Sequence, residues 1–128
     1  MTMFGKPDQS FEFFAGNDAI TADAVGAVTG KTFVKLVAGG TAQRPKVSTC
    51  GAGERPYGVA FWTVADKESV TVVRAGVLAV TAGEALASAD AIAVGAGGKA
   101  VKAGAGTVYG DVHGDAPINT DAAVAFTF

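Results

Sequence analysis

The chain has very little of the chemistry from which catalytic and metal sites are built. Its 128 residues include one cysteine and one histidine, so neither an intrachain disulfide nor a cysteine-based metal cluster is available. Charged residues make up only 17% of the composition, and no basic run exists, which removes the electrostatic footprint of a nucleic-acid-binding protein. No apolar stretch reaches the length of a membrane span. We therefore expect no catalysis, metal, cofactor, nucleic acid or membrane partner.

Targeting and charge signals are also scarce. Residues 1–14 contain one lysine and no apolar core of a signal peptide, so we expect no secretion by that route. Lysine and arginine are absent after Lys102, and the last stretch has only aspartates as charges. The net charge is −2, and the single cysteine is compatible with assembly in a reducing compartment.

The residues that are abundant favour β-structure. Hydrophobic residues reach 49% and there are 18 glycines, a composition typical of packed strands joined by tight turns rather than of disorder. Short alternating runs predict roughly eight to ten strands and no helix of ordinary length. The runs are residues 32–37, 46–49, 57–64, 69–74, 77–80, 91–94, 99–102, 107–112 and 122–127, with an edge strand or loop at 19–28, a possible helical turn at 84–88 and a turn at 95–98. The expected fold is all-β, a small β-barrel or β-sandwich-like domain.

Part of the sequence is repeated. Gly51-Ala52-Gly53, a turn and Tyr57-Gly58 return about fifty residues later as Gly104-Ala105-Gly106, a turn and Tyr109-Gly110, a period that indicates a duplicated supersecondary unit. Two more pairs fall on this register: Lys46 with Lys99, and Gly30 with Gly83. We expect residues 30–80 and 83–128 to form two similar β-motifs packed around one core.

The N-terminal residues differ from the rest. Residues 1–17 hold half of the eight phenylalanines, and we interpret them as an arm preceding a β-rich domain of residues 18–128. The aromatic residues are Phe4, Phe11, Phe13 and Phe14. Either the arm is a first strand packed on its own domain, or it extends onto a neighbouring subunit, where its rings enter pockets.

Three strings resemble chemical motifs, and each lacks a necessary part. Residues 26–32 are one residue short of a phosphate-binding loop, and a strand-like run follows where a helix is needed. The string Gly110-Asp111-Val112-His113-Gly114 resembles an element of binuclear metallophosphoesterases, yet His113 is the only histidine and a two-metal site needs more. Gly95-Ala96-Gly97-Gly98 has too few glycines and no βαβ setting for a dinucleotide loop. We interpret all three as turns or strand ends.

The single cysteine and a pair of adjacent aromatic residues are two further candidates for a functional role. Cys50 has no base placed near it by the sequence, so a buried, inert thiol is expected. The neighbours Phe61 and Trp62 would lie on opposite faces of a strand. One of these two rings is then expected in the core, and the other exposed or at an oligomer or capsid interface.

The order of several segments resembles a known family. GKTFVKLV, KVSTCGAGERPYGVAF, ADKESVTVV, RAGVLAVTAGEALASADAIAV and GGKAVKAGAG follow one another, and this succession is similar to the small bacteriophage capsid decoration (cement) proteins, formerly a domain of unknown function. The resemblance covers about residues 19–128. It implies a homotrimeric structural protein on the outer surface of the virion capsid, assembled in the host cytoplasm, that clamps subunits of the major capsid protein.

Alternatives remain open beside this resemblance. A small β-domain of a phage tail or receptor-binding structure would have similar glycine-rich strands, and a small metal-dependent hydrolase would use the Asp111 and His113 string. The capsid-binding residues expected from physics are the arm phenylalanines Phe4, Phe11, Phe13 and Phe14.

Overall fold

The computed structural model describes residues 9–15 and 18–126, and almost all of its regular structure is β-strand, which confirms the all-β prediction. The strands are β1 (Glu12–Ala15), β2 (Ala19–Ala24), β3 (Thr32–Val37), β4 (Lys46–Thr49), β5 (Gly58–Ala60), β6 (Ser69–Val73), β7 (Gly76–Thr81), β8 (Ala91–Val94), β9 (Ala100–Lys102), β10 (Gly110–Val112) and β11 (Asp121–Phe126). One 3₁₀ turn, Ala96–Gly98, lies between β8 and β9.

Strands β2 to β6, residues 19–73, form the first unit, a closed barrel in the order β2-β4-β3-β5-β6. All neighbours are antiparallel except β2 and β4, which pair in parallel through Asp23 with Lys46 and Ala24 with Val47. Side chains alternate between the two faces of each strand, and the inward ones are small or β-branched, as a narrow barrel requires. The buried inner residues are Ala22, Ala24, Val28, Val34, Val47, Ala60, Val64, Val70 and Val72.

Strands β7 to β11, residues 76–126, form the second unit with the same connectivity. β7 pairs with β11, β11 with β10, β10 with β8, and β8 with β9. A single parallel bridge, Ala82 to Ala100, stands where the first unit has its parallel pair. Strand β1 adds to the free side of β7, so this unit is a six-stranded sheet rather than a fully closed barrel.

Backbone hydrogen bonds align the two units residue by residue. Tyr57 N donates to Val34 O, and Tyr109 N donates to Ile92 O in the same place. The expected duplication is therefore confirmed, with its boundaries moved: the units divide between β6 and β7, and the predicted limits of 30–80 and 83–128 were wrong.

One predicted register pair is also wrong. Gly83 N donates to Ala100 O as Val25 N donates to Val47 O, so the counterpart of Gly83 is Val25 and not Gly30. The cause is the longer loop between β3 and β4 in the first unit, because a constant sequence offset cannot pass through an insertion. The pairing of Lys46 with Lys99 lies beyond that loop and is retained.

The repeated Tyr-Gly dipeptide has a steric reason. A Cβ added at Gly58 would lie 2.6 Å from Val72 Cγ1 and 2.8 Å from Val73 O. A Cβ at Gly110 would overlap Ala125 O in the same way. Each glycine begins a strand that pairs with the last strand of its unit, and the neighbouring atoms of that strand leave no room for a side chain in either copy.

The described residues hold two hydrophobic clusters, where the sequence predicted one shared core. One fills the first barrel. The other fills the second unit and also includes outward-facing side chains of the first unit, which the second unit covers. These shared side chains are Phe33, Cys50, Val59 and Val73.

Polar contacts join the units around that shared cluster. Gly53 N donates to Val94 O at 3.0 Å, and Thr81 N donates to Lys31 O at 2.8 Å. The ammonium of Lys31 lies 3.0 Å from Asp121 Oδ1. Loops and strand ends of the first unit thus fix the position of the second.

Several predicted elements end elsewhere. The strand expected at residues 57–64 stops at Ala60, because the chain bends at residues 61 and 62. The segment 84–88 has no helical turn, and Leu86 instead forms an antiparallel bridge to Ala116. The turn at 95–98 is present as the 3₁₀ turn. Among the described residues, no helix has the length and apolarity to cross a membrane.

Candidate functional surfaces

The N-terminal segment exposes an aromatic pair. Phe11 and Phe13 are 44% and 43% exposed, and their ring centroids are 4.8 Å apart. Phe14 lies in β1 opposite Val77, and Phe4 lies outside the described residues. The structure therefore brings two of the four predicted arm phenylalanines together as one exposed apolar feature, which we call the Phe11–Phe13 patch.

The patch is held on the domain by Ser10. The Ser10 hydroxyl donates to Ala79 O at 2.6 Å, and its backbone N–H donates to Phe61 O at 2.7 Å. Ala79 N donates to Phe11 O at 3.0 Å, and β1 then pairs with β7. Ser10 is buried and bonded to both units, so residues 10–15 are tied to this chain's own sheet.

Phe61 and Trp62 occupy a bend rather than a strand. Both rings are half-buried. Phe61 packs against the cluster of the second unit, and Trp62 packs against the core of the first barrel. The two aromatics therefore face different interiors, and neither forms an exposed patch comparable with Phe11 and Phe13.

The string resembling a phosphate-binding loop connects β2 to β3 within the first unit and contacts the second unit through Lys31. Lys31 adopts a left-handed backbone conformation with φ of 63°, and its ammonium pairs with Asp121. The Thr32 hydroxyl donates to Thr29 O at 2.6 Å, and Thr32 begins β3. The lysine and threonine are thus both used in structural contacts, and the segment continues as a strand.

The string around His113 forms the end of β10 and the loop after it. Asp111 is exposed on β10, and Asp115 Oδ1 accepts from Ser88 N at 2.9 Å. The Ser88 hydroxyl donates to His113 O at 2.8 Å. Within residues 9–15 and 18–126, no group of three or more histidine, cysteine, aspartate or glutamate side chains is placed to hold a metal ion.

Cys50 lies in the interface between the units. It is 1% exposed, and its Sγ lies 3.9 Å from Arg55 O. Burial, with the Glu54 carboxylate adding to it, raises the pKa of the thiol to about 12. The sulfur therefore stays protonated near neutral pH, whereas a nucleophilic cysteine must be a thiolate.

The first unit has a charged cleft that was not predicted from the sequence. It has a volume of about 460 Å³, and its walls carry three cationic side chains and one carboxylate. The residues that define it are Lys35, Leu36, Glu54, Arg55, Tyr57 and Arg74. A difference between the repeats could have indicated it: Glu54-Arg55-Pro56 precedes Tyr57, but Gly106-Thr107-Val108 precedes Tyr109.

An arginine stacked on a tyrosine forms one wall of this cleft. The guanidinium carbon of Arg74 lies 4.3 Å from the centroid of the Tyr57 ring, and Arg74 Nε donates to Tyr57 O at 2.9 Å. On the opposite side Lys35 Nζ lies 2.6 Å from Glu54 Oε2. These contacts fix the positions of the charged groups before any partner arrives.

The fold defines a tandem of two five-stranded β-units, the first closed and the second completed by its neighbour. This architecture is similar to a solved structure described as the N base of head fiber gp8.5 in bacteriophage phi29, with a TM-score of 0.71 and 20% sequence identity. The similarity covers 85% of this chain and 92% of that chain. No protein-family model and no curated protein matches the sequence, so the decoration-protein family stays a prediction.

Proposed function

We propose that this chain is a structural protein of the outside of a bacteriophage head, where it binds the major capsid protein and stabilises its lattice. The single observation that carries this proposal is the shared fold with the N base of a phage head fiber. A rigid double β-unit with an exposed aromatic pair suits attachment, since buried aromatic anchors dominate many protein interfaces.

The attachment surface in this proposal is the Phe11–Phe13 patch. The two rings lie in contact on a segment that is tied to both units through Ser10, so they are pre-organised and lose little conformational entropy on binding. Burying a fully exposed phenylalanine contributes roughly 1.5 to 3 kcal/mol, and each of these rings, 44% and 43% exposed, would contribute somewhat less than half of that on binding. A homotrimer multiplies that contribution by avidity, and it matches the three-fold positions of an icosahedral shell.

Co-sedimentation with expanded heads of the encoding phage tests the attachment. The double variant Phe11→Ser, Phe13→Ser should remain folded and lose binding. The matched control, Val108→Ser with Ile118→Ser, removes two other exposed apolar side chains and should bind as the parent does. Equal binding by the two double variants would exclude the patch as the attachment surface, and failure of the parent chain to bind any head would contradict the capsid role.

Oligomeric state is tested separately by light scattering, free and after release from heads. The proposal expects a trimer in at least one of the two conditions. A chain that is monomeric in both conditions would contradict the trimer. The proposed location on the phage head would still be tested by the co-sedimentation experiment.

A further inference from the structure

The cleft on the first unit carries more positive than negative charge. Lys35, Arg55 and Arg74 face one carboxylate, Glu54, whereas the chain as a whole has a net charge of −2. The positive cleft is therefore a local feature of an acidic protein. Such a site attracts anionic groups through charge complementarity.

Glu54 already uses both of its oxygens within the chain. Its Oε1 accepts from Gly51 N at 2.6 Å, and its Oε2 accepts from Lys35 Nζ at 2.6 Å. These bonds, the one to Lys35 first, hold the pKa of the carboxyl below its usual range. Arg55 is exposed, and it takes part in none of the ion pairs found among the described residues.

The duplication shows that the fold itself does not require these charges. The second unit has the same strands and the same turn before its tyrosine, yet its corresponding surface is uncharged. There Ala93 stands for Lys35, Thr107 for Arg55, and Phe126 for Arg74. The strand arrangement that the two units share therefore does not depend on the cations of this cleft.

The corresponding surface of the second unit is covered by polypeptide. Phe126 packs edge-on against Phe33 of the first unit, with centroids 5.6 Å apart, and Val94 O accepts from Gly53 N. Val94 is consequently 3% exposed. Its counterpart in the cleft, Leu36, is 52% exposed. The turn at Gly53 thus covers this position in the second unit, whereas the same position in the first unit is open to solvent.

We propose that this cleft binds a carboxylate-bearing peptide segment of a partner protein. A carboxylate of the segment bonds to Arg55 and Arg74, and an adjacent aliphatic side chain covers Leu36. Planar guanidinium groups suit carboxylates because they donate two parallel hydrogen bonds. The site is separate from the Phe11–Phe13 patch, and the proposal does not depend on the identity of the phage head as partner.

The test is a ¹⁵N NMR titration of the full chain with a capped pentapeptide of alternating glutamate and leucine. Amide shifts should concentrate at Lys35, Leu36, Arg55, Tyr57 and Arg74. The Arg55→Gln variant should weaken binding roughly tenfold, because a hydrogen bond between ionised groups is stronger than a neutral one. The control Lys102→Gln removes the same charge from the second unit and should leave the affinity unchanged.

Further titrations distinguish the carboxylate peptide from other ligands of the cleft. The same peptide with glutamine in place of glutamate should not bind, and inorganic phosphate should not shift the cleft amides at the same concentration. Binding of phosphate alone would identify a simple anion site and overturn the proposal. Shifts of the cleft amides that depend on protein concentration, without peptide, would identify a second copy as the occupant. Equal loss of affinity in Arg55→Gln and Lys102→Gln would mean non-specific attraction.

Discussion

In the first unit β2 and β4 pair over two residues and close a barrel around its own core, whereas in the second unit Ala82, the residue after β7, forms a single bridge to Ala100 of β9. The second core is completed by side chains that point outward from the first barrel, with Phe33 the largest. The same connectivity therefore gives one self-sufficient unit and one that depends on its neighbour. Duplication conserved the strand order, and the contact between copies decided which faces became core.

The largest effect is expected where the second unit depends on the first. Phe33 is fully buried and contacts Phe126, so Phe33→Ala should lower the free energy of unfolding by about 3 to 5 kcal/mol. Urea unfolding followed by fluorescence and circular dichroism measures the loss. Phe11→Ala, at a side chain 44% exposed, is the control and should change stability by less than about 0.5 kcal/mol. Similar losses in both variants would contradict the completion of the second core by Phe33.

The close crossing of strands in each unit gives the next effect. Gly110→Ala places a Cβ against Ala125 O and should cost about 1 to 3 kcal/mol, since a backbone atom cannot move aside as a flexible side chain can. Gly58→Ala tests the first copy in the same way. Gly114→Ala has open space around the new Cβ and should be neutral. Thermal unfolding compares the three, and a destabilised Gly114→Ala would indicate a general intolerance of the strand β10 region.

At one pair of facing core positions, the small and the large residue have opposite places in the two units. Ala22 lies opposite Val70 in the first unit, and Val80 lies opposite Ala122 in the second. Val70→Ala alone should cost about 2 kcal/mol. Adding Ala22→Val reproduces the arrangement of the second unit and should restore most of that loss, because total core volume is conserved.

A double-mutant cycle of Ala22→Val and Val70→Ala measures this recovery as an interaction energy. Additive losses would show that the two barrels differ in shape at this level, despite their shared register.

A smaller effect is expected at a left-handed residue. Ala89 has φ of 72°, a conformation that costs a residue with a Cβ about 1 to 2 kcal/mol. Ala89→Gly should therefore stabilise the chain by up to about 1 kcal/mol after the entropy of glycine is subtracted. Ala87→Gly, two residues earlier and without positive φ, should destabilise by about 0.5 to 1 kcal/mol. Differential scanning calorimetry gives both values, and the same sign in the two variants would contradict the strain at Ala89.

The smallest effect is expected on the stability of the fold at acidic pH. Hydrogen bonding to Arg44 lowers the pKa of Asp23, and hydrogen bonding to Lys35 lowers that of Glu54. A carboxyl with a lowered pKa in the folded state stabilises the fold above its unfolded pKa, about 4, and loses that contribution as pH falls through the folded value. Both groups lie in the first unit, and the residues at the corresponding positions of the second unit, Thr81 and Gly106, carry no charge.

The double variant Asp23→Asn, Glu54→Gln should accordingly show a flatter fall of the melting temperature between pH 5 and pH 2 than the parent, roughly over the range where carboxyls titrate. Melting curves at constant ionic strength measure the slope. A parallel fall in parent and variant would place the acid sensitivity elsewhere in the chain.

How much of the structure could be predicted from the sequence depended on how far apart along the chain the interacting residues lie. Tyr57-Gly58 and Tyr109-Gly110 indicated the duplication correctly, because the steric demand at Gly58 and Gly110 is the same in both copies. The pairing of Gly30 with Gly83 failed because Val47 follows Val34 by 13 positions, whereas its counterpart Ala100 follows Ile92 by 8, and this insertion shifts the register. The cleft was not found, since Lys35, Glu54 and Arg74 are far apart along the chain and meet only through barrel closure.

The sequence by itself determined the all-β class, the repeated unit and the placement of most strands, because alternation and glycine turns act between near neighbours. Only the tertiary structure decided where one unit ends and the next begins, which outward side chains of the first barrel become core, and which charges gather in the cleft. Those features depend on contacts between residues distant in sequence, such as Phe33 with Phe126. The two copies of the repeat therefore have different surfaces, because the second unit covers outward-facing side chains of the first barrel and includes them in its own core.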